Sequence, residues 1–297
     1  MTGAKPSAEP VQLEKHRGLY AQALREFMRN WGAVIGVIIL IIILLSTIFA
    51  SKLTPYDPLQ RDTPARLSAP SWKHPMGTDA LGRDVLSRVL YGGRISLRVG
   101  FLSIFTSAAV GIPLGLVAGY FGGVIDNALM RVMDVILAFP GLVLIIWLVA
   151  VLGSSMTMLV LAIAFFFVPT YARLMRSMAL TLREIEYVLA ARSIGASAFR
   201  ILSTHILPNA LAPAIVLTTL SISSAIITGA SLSFLGLGVR PPTPEWGAML
   251  ADGRGYLRNA WWIAFFPGMT ITLIVLVANI VGDGLRDALD PKITHRQ

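Results

Sequence analysis

Cysteine is absent from the 297 residues, so the chain can build no disulfide, thiolate metal site or catalytic thiol. Charge is scarce too. Only 14% of residues are charged against 55% hydrophobic, with a mean hydropathy of +0.70, too apolar for a water-facing globular surface. The composition is that of an all-α integral membrane protein. Histidine is limited to His16, His74, His205 and His295, all outside the apolar runs. The GASLS segment at 229–233 has the look of a serine-protease motif but lacks a histidine partner in the spans, which disfavours an intramembrane protease. HExxH and GxxxxGK[ST] are both missing, so the chain has no P-loop with which to hydrolyse ATP itself. Ionisable residues are few inside the spans, which argues against a carrier driven by a buried proton or sodium relay. The expectation is a non-catalytic membrane protein that binds no metal and no cofactor.

The net charge of +9 is spread through the links between apolar runs. It suits membrane orientation and implies no nucleic-acid partner. Six stretches, approximately 31–51, 95–119, 129–152, 156–177, 209–235 and 261–282, meet the roughly 20-residue requirement for a transmembrane helix. They divide the chain into an N-terminal segment (1–30), a first helix (31–51), an outer link (52–94), a core (95–282) interrupted by a loop at 178–208, and a tail (283–297). The N-terminal segment carries Lys5, Lys15, Arg17, Arg25 and Arg29 and reads as part of an uncleaved anchor. Tyr20, Ala23, Leu24, Phe27, Met28 and Trp31 recur at helical spacing, which suits either a helix on the membrane surface or a solvated lead-in.

The first span is nearly all aliphatic, proline-free and suited to lipid. Each of the other five has a proline within it or near its start: Pro113, Pro140, Pro169, Pro213 and Pro267. Such helices survive in a bilayer when neighbouring protein satisfies the freed carbonyls, so they predict a packed bundle. Gly111, Gly115 and Gly119 form small-xxx-small steps that admit a second helix closely. Arg131 and Asp134, one turn apart, are expected to pair or snorkel. Thr218, Ser221, Ser224, Thr228 and Ser231 share one face of the long fifth span. That face suits either helix packing or the wall of a hydrated path.

Two linking segments carry more pattern than a connector needs. In the 178–208 loop, helix formers from Leu182 to Ala191 predict a short helix. Gly195-Ala196-Ser197 then permits a bend and a close approach before a second helix that Pro208 closes. A helix-turn-helix of this kind can enter a groove in a soluble partner. In the outer link, Leu81, Val85, Leu86, Val89 and Leu90 fall on one helical face and Arg83, Asp84, Ser87 and Arg88 on the other, with Thr78 and Asp79 placed to cap its start. This predicts charges directed outward, with Asp79, Arg83, Asp84 and Arg88 as candidates for docking a soluble receptor or forming an outer gate. A structural interfacial helix is the alternative.

YDP (56–58), HPMGTDALGRDVLSRVLYGGRISL (74–97), EYVLAARSIGAS (186–197) with HILPN (205–209), and SFLGLGVRPPTPEWGAML (233–250) together resemble the C-type permease subunit of the dipeptide, oligopeptide and nickel family of bacterial ABC importers. The resemblance spans nearly the whole chain. The general importer loop has Glu directly before its paired alanines and Ile three residues before its proline. Leu189 and His205 stand there instead, while Glu186 fits the peptide-family version. The resemblance implies a peripheral first helix on a five-helix type I importer core. It assigns Glu186, Ala190, Ala191, Gly195, Ala196, Ser197, Leu207 and Pro208 to an ATPase-coupling loop. The implied partners are a homologous second permease, two ATPase subunits that use ATP and Mg, an extracytoplasmic substrate-binding protein and membrane lipid. The implied location is the bacterial inner membrane with both termini cytoplasmic. Peptides are the default cargo. Relatives carry nickel, glutathione or oligosaccharides, and the different-class alternative is a self-contained secondary carrier.

Overall fold

The computed structural model describes residues 19–289; Lys5, Lys15, Arg17 and the tail from residue 290 lie outside the described residues. Among the described residues every regular element is helical. The helices are α1 (Leu19–Arg29), α2 (Trp31–Ile48), α3 (Ala50–Leu53), α4 (Val85–Phe121), α5 (Gly123–Leu137), α6 (Gly141–Leu152), α7 (Met156–Leu182), α8 (Glu186–Ser193), α9 (Ala198–Ile201), α10 (Leu207–Phe234), α11 (Trp246–Gly253) and α12 (Trp262–Leu289).

The centre of the bundle is the seam between α4 and α7, and its closeness follows from three glycines one turn apart. A methyl group on Gly111 would stand 2.7 Å from the Val168 carbonyl oxygen, on Gly115 2.2 Å from that of Ala172, and on Gly119 2.5 Å from that of Arg176. Only glycine lets these backbones meet, as the small-xxx-small spacing predicts. Buried Ile104, Ala108, Leu159, Ile163, Tyr171 and Ala225 fill the space where α10 joins the pair. By contrast α2 is 17% buried. It lies on α12, where Gly36 approaches Val281. Its aliphatic remainder, including Ile38 and Ile42, is exposed and suits lipid contact. Asn30 caps its start by accepting from the Ala33 amide at 3.1 Å. Arg94 donates to the Thr47 and Ile48 carbonyls at its end, both at 2.8 Å, satisfying carbonyls that the last turn leaves free.

Three span boundaries differ from expectation. The second span does not start at residue 95; α4 is continuous for 37 residues from Val85. At 1.5 Å per residue that is about 55 Å, far more than the roughly 30 Å hydrocarbon core. The third span is broken, because α5 and α6 meet at 89° across Ala138-Phe139-Pro140. Because Gly111, Gly115 and Gly119 meet successive turns of α7 in the same order, α4 and α7 run parallel, so the bent pair between them crosses as one span, for six crossings among the described residues. In the fifth, Pro208 does not close a helix. A π-helical turn at Leu202–Ile206 leads directly into α10, and the wider turn absorbs the proline's missing N–H.

Ion pairing also departs from sequence spacing. Asp134 pairs with Arg173 at 2.6 Å, not with Arg131. About two turns nearer the start of α5, Asp126 accepts from both the Nε and a terminal nitrogen of Arg176, so two arginines of α7 hold α5 in place.

Candidate functional site

The 183–208 segment sits on the face where α4 ends. Buried Val188 and Ala191 of α8 join Leu116, Met175, Ala179, Leu182, Ile201, Ile206 and Ala210 in one apolar cluster, so the segment is packed structure. The bend at Gly195 is a helix-terminating motif. The Gly195 amide donates to the Arg192 carbonyl at 3.0 Å and the Ala196 amide to the Ala191 carbonyl at 3.0 Å, with Gly195 at φ +81°. This is the left-handed position that glycine fills without strain. Ser197 then accepts from the Arg200 amide and starts α9. Around the bend Ile194 is 86% exposed and Phe199 80% exposed, while a methyl group on Gly195 would meet nothing within 4 Å. Glu186, Ala190 and Ser197 also face outward, Ala196 is half-buried, and Leu207 and Pro208 lie in the first turn of α10. Two large apolar side chains thus stand exposed on either side of an open notch.

The hydroxyl face of α10 divides in two. Ser221 is buried, and the Tyr171 hydroxyl donates to Thr218 at 3.0 Å, so this half is packed against α7. Ser224 is exposed, and Thr228 and Ser231 are half-buried, their hydroxyls donating to their own helix at Ser224 and Ile227. This second half borders an open side of the bundle.

On the opposite face, the outer segment buries Val85 and Val89 as its apolar pattern predicts, but its charges do not face outward. Asp79, Arg83, Asp84 and Arg88 are all buried, whereas Leu81 is exposed and Leu86 and Leu90 are half-exposed. Burial is tolerated because the charges compensate one another. Asp79 lies 2.6 Å from Arg83 and 3.5 Å from Arg88, and exposed Asp252 of α11 lies 3.9 Å from both guanidinium groups. The cap of α4 is Asp84, which accepts from the Ser87 amide at 2.7 Å and holds the His74 ring at 2.9 Å. Thr78 and Asp79 sit earlier, in a turn that Gly82 closes at φ +76°, where Asp79 accepts from the Leu81 and Arg83 amides. Replacing Arg83 with Met would remove the 2.6 Å partner of buried Asp79 and leave it Arg88 at 3.5 Å, which should destabilise the fold by about 3 kcal/mol, the lower end of the range for breaking a buried pair. Thermal unfolding of the purified chain in detergent should show that loss and show part of it recovered in Asp79→Asn/Arg83→Gln. Equal melting of Arg83→Met and the native chain would remove the clamp.

Sequence reasoning quoted Glu245 but gave it no role. It is buried, accepts from Ser96 at 2.8 Å and caps α11 through the Ala248 amide at 2.9 Å. Trp246 adds a 2.8 Å bond to the Val89 carbonyl, stapling α11 to α4. The usable signal was an acidic residue three positions before the amide it caps. Among the described residues no group of His, Cys, Asp and Glu is arranged to hold a metal.

Among the described residues the helices are long and apolar enough for up to six membrane crossings, which defines a helical integral membrane protein. Residues 111–295 match the family described as binding-protein-dependent transport system inner membrane component, and residues 18–70 match the N-terminal TM domain of oligopeptide transport permease C. The di/tripeptide transport system permease protein DppC of Pseudomonas aeruginosa is 45% identical over 93% of this chain and 95% of its own length. The dipeptide permease DppC of Haemophilus influenzae is 44% identical over 90% and 92%, and the glutathione permease GsiD of Escherichia coli is 45% identical over 98% and 95%. The permease fold of the MetNI methionine ABC transporter, in an inward-facing form, superposes with a TM-score of 0.55 at 18% identity, covering 68% of this chain and 96% of that one. The chain belongs to the dipeptide and oligopeptide permease family of ABC importers.

Proposed function

We propose that this chain forms half of the translocation pathway of an ATP-driven importer for di- or oligopeptides, working with a homologous permease, two ATPase subunits and an extracytoplasmic binding protein. The cargo reading rests on the peptide transport named for its relatives; glutathione, named for others, is itself a small peptide. The observation that carries the mechanism is the exposed Ile194–Gly195–Phe199 notch on the rigidly packed 183–208 segment. Glu186, Ala190, Ala191, Gly195, Ala196, Ser197, Leu207 and Pro208 form the ATPase-coupling site around it. ATP binding draws the ATPases together, the coupling segments move with them, and the bundle changes the side on which its cavity opens. In this arrangement the notch faces the cytoplasm. Both ends of the described chain then do so too, because Gly284 near the end of α12 packs on Ala33 and Phe27 at the start of the chain, on the notch side. Co-expression tests the reading: both ATPase subunits should co-purify with the two permeases in detergent. Recovery of the permease pair without them under every nucleotide condition would contradict it.

Within this reading Thr218, Ser221, Ser224, Thr228 and Ser231 line the path, and Asp79, Arg83, Asp84 and Arg88 act as a clamp holding the outer segment on the bundle. Their burial supports that role over a receptor-facing rim. Single cysteines can be placed on α10 in a chain without native thiols. Ser224→Cys and Thr228→Cys should react with hydrophilic thiol reagents in the assembled complex, and Ser221→Cys only in states that part Tyr171 from Thr218. If Ser224→Cys and Thr228→Cys label no faster than Ile42→Cys on the lipid-facing α2 in every nucleotide state, the path lies elsewhere.

A further inference from the structure

The coupling segment is fastened to the end of α4 by two arginines that flank α8. Arg183, just before α8, donates to the Gly119 carbonyl at 2.8 Å and lies 3.4 Å from that of Tyr120. A cation there meets the carbonyls that the last turn of α4 leaves free and the negative end of its dipole. Arg192, in the last turn of α8, places its guanidinium 5.3 Å from the centre of the Tyr120 ring, within range of cation–π attraction. The two contacts grip the same end of α4 from opposite ends of α8. Neither arginine is needed to bury the apolar face of α8, which Val188 and Ala191 already supply.

What α4 carries at its other end gives these contacts a purpose. The helix runs unbroken from Asp84 to Phe121, and its first turns hold Arg88 in the outer ion cluster with Asp79 and Asp252. The contact to exposed Asp252 is 3.9 Å long, as is that of Arg83 to the same carboxylate, and these two are the longest links of that cluster. A displacement of α8 gripped at Tyr120 would move a single rod, about 55 Å long at 1.5 Å per residue, whose far end sits beside this contact.

We infer that Arg183, Arg192 and Tyr120 are positioning residues that transmit movement of the ATPase-coupling segment along α4 to the outer Arg88–Asp252 contact. The inference rests on the importer reading above and names the physical connection between its two faces: one continuous helix held at both ends by specific contacts. The tyrosine's part is its ring and not its hydroxyl, so Phe should replace it and Leu should not.

The test uses the complete complex of two permeases and two ATPases in nanodiscs with its binding protein. Arg192→Gln and Tyr120→Leu should each lower receptor-stimulated ATP hydrolysis roughly ten-fold, with assembly and basal hydrolysis at native levels. Tyr120→Phe should keep stimulation, and the double variant should be no worse than either single one, because both remove the same contact. Spin labels at Leu81→Cys and Leu257→Cys should change separation on ATP binding in the otherwise native complex and stay fixed in Arg192→Gln. Native stimulation in both Arg192→Gln and Tyr120→Leu would overturn the inference. So would failed assembly of either variant, which would make the residue an ATPase contact. Absence of stimulation in the native complex would instead overturn the importer reading itself.

Discussion

Gly195→Trp should abolish stable binding of the ATPase subunits and with it all coupled transport, while the permease still folds and inserts. A Cβ at Gly195 would meet nothing of its own chain within 4 Å, so the indole starts from open space at the exposed bend. It projects into the notch between Ile194 and Phe199, where a close-packed partner surface leaves no room. The left-handed backbone at this position, φ +81°, adds about 1–2 kcal/mol of local strain for a residue other than glycine. Gly195→Asn separates the two effects, because asparagine tolerates that backbone and is much smaller. Co-purification should fall to background for Gly195→Trp and be largely kept for Gly195→Asn. Native coupled transport by Gly195→Trp would remove the segment from the mechanism.

Gly115→Leu should give the opposite outcome: no folded permease to test. Even a methyl group there would lie 2.2 Å from the Ala172 carbonyl oxygen and 2.8 Å from the Met175 Cβ. A backbone atom cannot rotate away as a side chain can. Overpacking commonly costs about 1–3 kcal/mol, and a leucine at the central seam should cost at least the upper end of that range. The expected readout is loss of the monodisperse peak in detergent chromatography. Gly255→Ala is the control, since its added methyl meets nothing within 4 Å and should be silent. A monodisperse, thermally unaltered Gly115→Leu would contradict the α4–α7 seam.

The two glycines illustrate what the sequence could reveal. Gly111, Gly115 and Gly119 act through a local spacing that marks one helix face, so a close helix contact was legible, though not that α7 supplies it. Gly195 was legible as a bend for the same reason. The outer segment was misread because amphipathic patterning assumes that charges seek water. Its arginines are buried, and one compensating partner, Asp252, stands in an element far along the chain, where no periodicity could point. Arg131 and Asp134 failed similarly: helical spacing offered a neighbour, and tertiary packing supplied Arg173 instead. Pro140 and Pro208 were visible as breakers, yet one sits at an 89° break and the other is absorbed in a π turn. Proline states that a hydrogen bond is missing, while the surrounding packing decides what replaces it. The helix, bend and second helix of 183–208 were legible from the Ala and Gly pattern, and the family resemblance pointed to the same segment. Its fastening to Tyr120 depends on a long-range contact that neither signal contains.

The most direct measurement is peptide uptake by proteoliposomes containing this chain, its homologous permease and both ATPase subunits, with ATP sealed inside and peptide-loaded binding protein outside. Uptake should require internal ATP and the binding protein, should stop with a non-hydrolysable ATP analogue, and should be unaffected by collapsing proton and sodium gradients. Uptake by this chain alone, without ATPase subunits and driven by an ion gradient, would make it a self-contained carrier and contradict the account.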